Sequence, residues 1–477
     1  MVIRIFVFLS LGLATGLPIL FGSDTAFLIG ASFACTTVFF GPFLLSSARL
    51  LERPVWLLAS LAVVVGMPVR AIGTASSDVW REFFYQDGLP SARSLAFVFG
   101  SCCVMAIGYV VGFSQRPTGT VASSFSHVRT SLRLGRFSPA LLIGAISFVS
   151  VVVFISSTGG LDLSNLSAKR GIFSDLESGA TSSSLIIVRS LNELPLTLVV
   201  LMIGAGATIG TDFFTRKVGG LVWVGLILVG LSVPFLSSQR EVLVAFFALG
   251  GIVFLRRNGR ISSRLLVGGL VVVLIFGVIS EFRHSRSDDI GGLSASNIAL
   301  ESVDGLVRNR NLADLSKTVR IIEAVPDTFE VDNGARQFGS ILGLIPRAVW
   351  PGKPVIGAGP EVSAVLYQNP VSGIPPGLIA ESYWSFEWGG LLVLAVIGVL
   401  AGKIDGRISA RRSAMDFAIG TLIFGPFLLD ALGVGLGNAV IGTFIRAVQV
   451  WVCLKVLERF TPRRSSDVEV APKPVHV

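Results

Sequence analysis

Long apolar runs alternate with short polar segments along nearly the whole chain. A helix needs about 20 mainly apolar residues to cross a bilayer. Twelve stretches approach that rule: 5–22, 26–45, 55–74, 93–114, 138–156, 183–208, 218–236, 241–255, 264–282, 388–402, 413–430 and 436–457. They predict an all-α fold, a polytopic helical membrane bundle of about 12 transmembrane helices. The first run follows Met1–Arg4 and has the look of a signal peptide. No small-residue cleavage site clearly follows it, so it reads as the first membrane helix.

One polar stretch breaks the rhythm. Residues 283–387 hold no convincing span, and a connection of about 105 residues far exceeds an ordinary loop. Within it, Ser302–Val325 places Val303, Leu306, Val307, Leu312, Leu315, Val319, Ile322 and Val325 near a helical period. A large, partly helical extracytoplasmic loop lying over the bundle is predicted. The expected organisation is nine spans over 1–282, the loop over 283–387, three spans over 388–457, and a disordered cytoplasmic tail over 458–477. Residues 70–92 carry Trp80, Phe83, Phe84 and Tyr85, an aromatic cluster suited to the lipid interface. No internal repeat is visible, which weakens a transporter built from repeated halves.

Composition narrows the class. Of 477 residues, 52% are hydrophobic and 14% charged, against roughly 25% charged in soluble domains. A water-facing surface for a chain of this length would need more charge. The net charge of +9 would suggest nucleic acid in a soluble protein. Here the basic residues cluster in alternate loops: Arg116, Arg129, Arg133 and Arg136; Arg256, Arg257 and Arg260; Lys403, Arg407, Arg411 and Arg412; Lys455, Arg459, Arg463 and Arg464. That bias orients both termini to the cytoplasm and accounts for the charge without nucleic acid. The four cysteines lie in apolar runs, none with metal-ligand spacing to a His partner, so neither zinc nor a disulfide framework is expected, and no cofactor motif is seen.

Few polar residues remain to carry chemistry. In this topology Arg170, Arg240, Arg308, Arg310, Arg320, Arg336, Arg347 and Lys353 fall on the outer side. A guanidinium fork suits phosphate, although ordinary surface pairing is the competing reading for each. Arg240 lies in a turn so short that it sits near the headgroups. In Ile345–Pro354 three prolines stiffen the backbone around Arg347, Trp350 and Lys353. Such a loop is either a preorganised anion site or a turn with an interfacial Trp anchor. Glu381 reads as a general base or sugar-hydroxyl ligand, or as a cap or salt-bridge partner. Tyr383 and Trp384 offer a stacking surface beside it. Arg189 and Glu193 are four apart and can pair on one helix face, as a structural pair or a substrate contact. Asp430 is a candidate partner for Arg446. His284 is the one histidine placed outside. No P-loop, His-Glu-x-x-His, Gly-x-Ser-x-Gly or Asp-x-Asp motif is present to support soluble-enzyme or nucleotide-sugar chemistry.

The Ser237-Ser238-Gln239-Arg240 turn, the long outer loop, the segment Gly343–Pro354 and the segment Pro376–Phe386 together resemble the Wzy-type oligosaccharide repeat-unit polymerases of O-antigen and capsule synthesis. The likeness covers the topology loosely and residues 330–390 more closely. It implies a C-type glycosyltransferase that joins polyprenyl-pyrophosphate-linked oligosaccharides on the outer side of the membrane, without metal. It implies Arg240, Arg347 and Lys353 as cations facing the leaving pyrophosphate, and Glu381 as base. Arg170, Arg336, Arg189, Tyr383 and Trp350 follow as further substrate contacts. The lipid bilayer, a chain-length regulator and a flippase are the partners it points to. The His-containing loop motif of the related O-antigen ligases has no good match, which favours a polymerase. A ligase-like transferase, a flippase or exporter of lipid-linked oligosaccharide, and a structural subunit are the alternatives.

Overall fold

The computed structural model describes residues 9–14, 24–44, 50–76, 90–115, 138–157, 184–205, 217–236, 240–259, 312–339, 342, 345, 350, 358–368, 373–411 and 413–459. Among the described residues every regular element is helical, with no strand. Seven helical stretches there are long and apolar enough to cross a membrane. These are Thr25–Leu44, Pro54–Gly73, Ala92–Ser114, Ala140–Ser157, Leu378–Ser409, Ala414–Gly433 and Leu436–Arg459. Leu194–Ala205 and Val224–Pro234 are shorter apolar helices. The expected span 264–282, the aromatic cluster at 80–85, and the C-terminal tail beyond Arg459 lie outside the described residues.

The helices are α1 (Asp24–Leu44), α2 (Pro54–Val64), α3 (Arg70–Ser76), α4 (Ala92–Ser114), α5 (Ser138–Ser157), α6 (Ser184–Asn192), α7 (Leu194–Ala205), α8 (Lys217–Leu236) and α9 (Arg240–Asn258). Then come α10 (Leu315–Ala324), α11 (Ala335–Gly339), α12 (Gly359–Tyr367), α13 (Leu378–Phe386), α14 (Gly390–Ser409), α15 (Ala414–Phe424), α16 (Phe427–Gly433) and α17 (Leu436–Arg459).

Three expected spans are broken, each at a proline, and a further break falls just before the span expected at 388–402. Pro68 lacks the N–H that would continue α2, and the chain passes through a π-helical turn, Val65–Val69, whose wider register skips that donor. Pro195 follows the break between α6 and α7, and Pro426 sits between α15 and α16. That further break is at Glu387, whose φ of 47° ends α13, in the stretch expected as loop, before α14 begins.

Packing is tightest between α4 and α14. Each carries two glycines four apart, Gly108 and Gly112 on one, Gly398 and Gly402 on the other. A Cβ added at Gly108 would lie 2.4 Å from the Ala395 carbonyl oxygen, and one at Gly112 would lie 2.1 Å from that of Val399. Gly398 and Gly402 meet the Met105 and Tyr109 carbonyls equally closely. Small residues let two backbones touch where lipid offers no hydrophobic drive to pair helices. The contacts advance together along both chains, so α4 and α14 are parallel, the direction expected of the fourth and tenth spans.

One end of the bundle is clasped by Asp405 of α14. Its carboxylate accepts the Val55 and Trp56 N–H groups, each at 3.0 Å, and the Tyr109 hydroxyl at 3.0 Å. A carboxylate there meets the unpaired donors and positive dipole end of α2. Arg53 lies over the Phe113 ring at 4.2 Å and donates to the Pro42 carbonyl at 2.8 Å. Arg256 pairs with Glu52 at the same end.

The opposite end carries the described part of the predicted loop. Asp314 caps α10 by accepting Ser316 N–H at 2.9 Å, and it pairs with Arg70 at 2.6 Å with both side chains buried. A Cβ at Gly66 would lie 2.2 Å from the Ala313 carbonyl oxygen, so this segment rests on the π turn itself. Glu323 accepts Ser91 N–H and the Ser94 hydroxyl at the start of α4.

Candidate functional site

The short helix α13 is buried on every side at this end, and its side chains reach three different neighbours. Gly377, in the left-handed region at φ 78°, starts it. A Cβ there would lie 2.4 Å from the Leu432 carbonyl oxygen, so α13 begins in contact with the end of α16. One turn later Glu381 points at the Gly433–Leu436 connection to α17. Its Oε2 accepts Leu436 N–H at 2.9 Å. Gly435, at φ 129°, leaves the space, since a Cβ would sit 3.0 Å from that oxygen. Glu381 is 8% exposed, and Oε1 has no hydrogen-bond or ion-pair partner among the described residues. A buried carboxylate with one oxygen held and one open is costly to keep, because buried polar groups are normally satisfied.

The other candidates sit around the same helix without converging on that carboxylate. Tyr383 points to α4, where its hydroxyl accepts from Arg93 at 2.7 Å and its ring meets Phe97 edge-on at 4.6 Å. Trp384 points to the 325–337 segment and donates from Nε1 to the Glu330 carbonyl at 3.0 Å. Arg336 lies over the Trp384 ring at 4.1 Å and pairs with Asp332 at 3.2 Å and with Glu361. Two carboxylates thus balance Arg336, so an anionic substrate would compete with both. Gln337 donates to Ser382 at 3.1 Å and anchors the same segment.

Arg189 and Glu193 form the expected ion pair at 3.3 Å, and Gln449 of α17 donates to the other Glu193 oxygen at 3.1 Å. Arg446 pairs with Asp430 at 2.9 Å. Both are far along the chain from α13 and are held by protein groups. Trp350 is 38% exposed. Arg240 is the first residue of α9, and its side chain lies outside the described residues, as do Arg170, Arg347 and Lys353.

Sequence reasoning passed over Lys317 and Arg93. Lys317 is fully buried, and its Nζ donates to the Gly433 carbonyl at 2.5 Å. The signal was its place four residues before Ile321 and seven before Ala324, on a second buried line of α10. Arg93 gave no signal, because its partner is nearly 300 residues away in the chain.

No family model, no curated protein and no solved structure matches this chain.

Proposed function

We propose that this protein is a multi-pass glycosyltransferase of the bacterial cytoplasmic membrane that polymerises polyprenyl-pyrophosphate-linked oligosaccharide repeat units. The observation that carries the reading is the Glu381 carboxylate, buried at one end of the bundle with Oε1 open. It belongs to the Pro376–Phe386 segment that carries part of the resemblance to repeat-unit polymerases. In this reading both termini are cytoplasmic. The end bearing Arg256, Arg257, Lys403, Arg407 and Arg411 faces the cytoplasm, as the positive-inside bias expects. The Glu381 end then faces outward.

The chemistry follows from that placement. An acceptor sugar hydroxyl gives its proton to Glu381 as its oxygen attacks the anomeric carbon of the donor. The bond from that carbon to the pyrophosphate oxygen breaks, and the electron pair leaves with the lipid pyrophosphate. Arg240, Arg347 and Lys353 balance the charge that develops there, with Arg170 and Arg336 as outer contacts. Exposed Trp350 lines the approach, whereas Tyr383, buried against α4, braces α13, and Arg189 stays paired with Glu193.

The test is reconstitution. Full-length protein in detergent is given polyprenyl-pyrophosphate-linked repeat units extracted from cells lacking it, and products are resolved by size. A ladder of longer glycans supports the reading, and its absence sinks it. The three proline-broken spans favour one alternative, a flippase for the same lipids, because discontinuous helices mark the binding sites of many translocators. A flippase would move these lipids across vesicle membranes and make no ladder.

A further inference from the structure

Four contacts meet on the five residues from Leu432 to Leu436, which close α16, turn through Val434 and Gly435 and open α17. The Leu432 carbonyl abuts Gly377, the Gly433 carbonyl accepts Lys317, Gly435 opens space for Glu381, and Leu436 N–H holds its Oε2. Lys317 comes from α10, Glu381 from α13, and neither is near the other in sequence. Lys317 is fully buried, and a buried ammonium is expensive unless it holds something in place.

We propose that Lys317 is a positioning residue for Glu381, acting through the Gly433–Leu436 turn. The ammonium pins the Gly433 carbonyl on one side of the turn. Pinning that carbonyl helps set the direction of Leu436 N–H, which lies two peptide units further on, just past Gly435. Gly435 cannot fix it alone, because a residue without Cβ at positive φ is the most permissive point in the turn. Val434 and Gly435 N–H donate to the Asp430 carbonyl at 2.7 and 3.3 Å and Ala439 N–H to the Gly435 carbonyl at 3.2 Å, and Lys317 adds a restraint from outside the turn. The Oε2 of Glu381 is thereby held, and Oε1 is left without a hydrogen-bond partner among the described residues. This inference rests on Glu381 acting as the base, and its test includes a measurement that does not.

The first measurement is labelling of the full-length purified protein by dicyclohexylcarbodiimide, an apolar reagent for buried carboxyl groups, read at Glu381 by peptide mass spectrometry. Lys317→Met should change the labelling rate at Glu381 about fivefold, the equivalent of one lost hydrogen bond. Labelling at Asp430 should stay the same. Lys317→Arg, which keeps a cationic donor, should restore most of the wild-type rate. If Lys317→Met does not survive purification, Lys317→Gln, one atom shorter, should show the same change at smaller size.

The second measurement is the kinetics of ladder formation with the extracted repeat units. Lys317→Met should lower kcat about tenfold and leave KM unchanged, the mark of a group that aligns the reaction without binding substrate. Labelling and kcat both within twofold of wild type in a folded Lys317→Met or Lys317→Gln variant would overturn the proposal. A raised KM at constant kcat would also overturn it, by making Lys317 a substrate ligand. If the wild type makes no ladder, the proposed function falls, and the labelling result still decides whether Lys317 positions Glu381.

Discussion

The Ser147 hydroxyl donates to the Leu191 carbonyl at 2.9 Å. Leu191 is the residue four before Pro195, so its carbonyl is the one that the proline leaves without a helical donor. A neighbouring helix thus closes the gap that the sequence opens. On the other side Gln449 donates to the Ser190 carbonyl at 2.9 Å. Backbone breaks within an apolar bundle persist where side chains satisfy the released groups in this way.

That pairing gives a compensation test. Ser147→Ala should cost about 1 kcal/mol of stability, since a buried carbonyl loses its donor. Pro195→Ala in the same protein restores a backbone N–H and should make the Ser147→Ala change nearly neutral. Thermal unfolding of the four purified variants in detergent reads both effects. An equal loss in both backgrounds would show that the hydroxyl does not serve this carbonyl.

The α4–α14 contact predicts a sharp contrast among glycines. Gly112→Ala or Gly402→Ala drives a methyl into backbone atoms 2.1–2.2 Å away and should cost at least about 2–3 kcal/mol. Gly41→Ala meets nothing within 4 Å and should be tolerated. Yield of monodisperse protein and its melting temperature separate the two classes.

The buried Arg70–Asp314 pair ties the segment before α10 to α3. Arg70→Met alone strands a buried carboxylate and should destabilise by about 3–5 kcal/mol. Adding Asp314→Asn removes the stranded charge, keeps an acceptor for Ser316 N–H, and should recover most of the loss. The melting temperatures of the single and double variants check this.

Glu381→Gln keeps an acceptor for Leu436 N–H and removes the group proposed to take the proton. It should lower ladder formation at least about 100-fold while leaving the melting temperature nearly unchanged. Single repeat units should accumulate on the lipid carrier in cells. Full activity in this variant would remove Glu381 from the chemistry.

Much of this molecule is local and so can be read along the chain. The apolar runs give helices, whereas the breaks at Pro68, Pro195 and Pro426, each a local consequence of a missing N–H, are overlooked when those runs are read as continuous spans. The Arg189–Glu193 contact follows from a four-residue spacing, and Asp430 was in reach of Arg446 across one turn. Glu381 stood out as a lone acid in a Pro-Gly-headed segment.

The rest depends on which surfaces meet. A span is apolar on its lipid side and on its protein side alike, so its pattern does not say which face turns inward. That is why the two glycine pairs of α4 and α14 gave no warning that they interlock. It is also why Tyr383, Trp384 and Glu381, adjacent on one short helix, end against three different neighbours. Sequence by itself determined that the chain is helical, with several helices apolar enough to cross a membrane, and it picked out the few polar residues proposed for chemistry. Only the tertiary structure decided that Lys317 and Glu381 share one turn and that Arg336 is balanced by Asp332 and Glu361. Those are contacts between distant segments, and their energies exist only once the chain has brought them together.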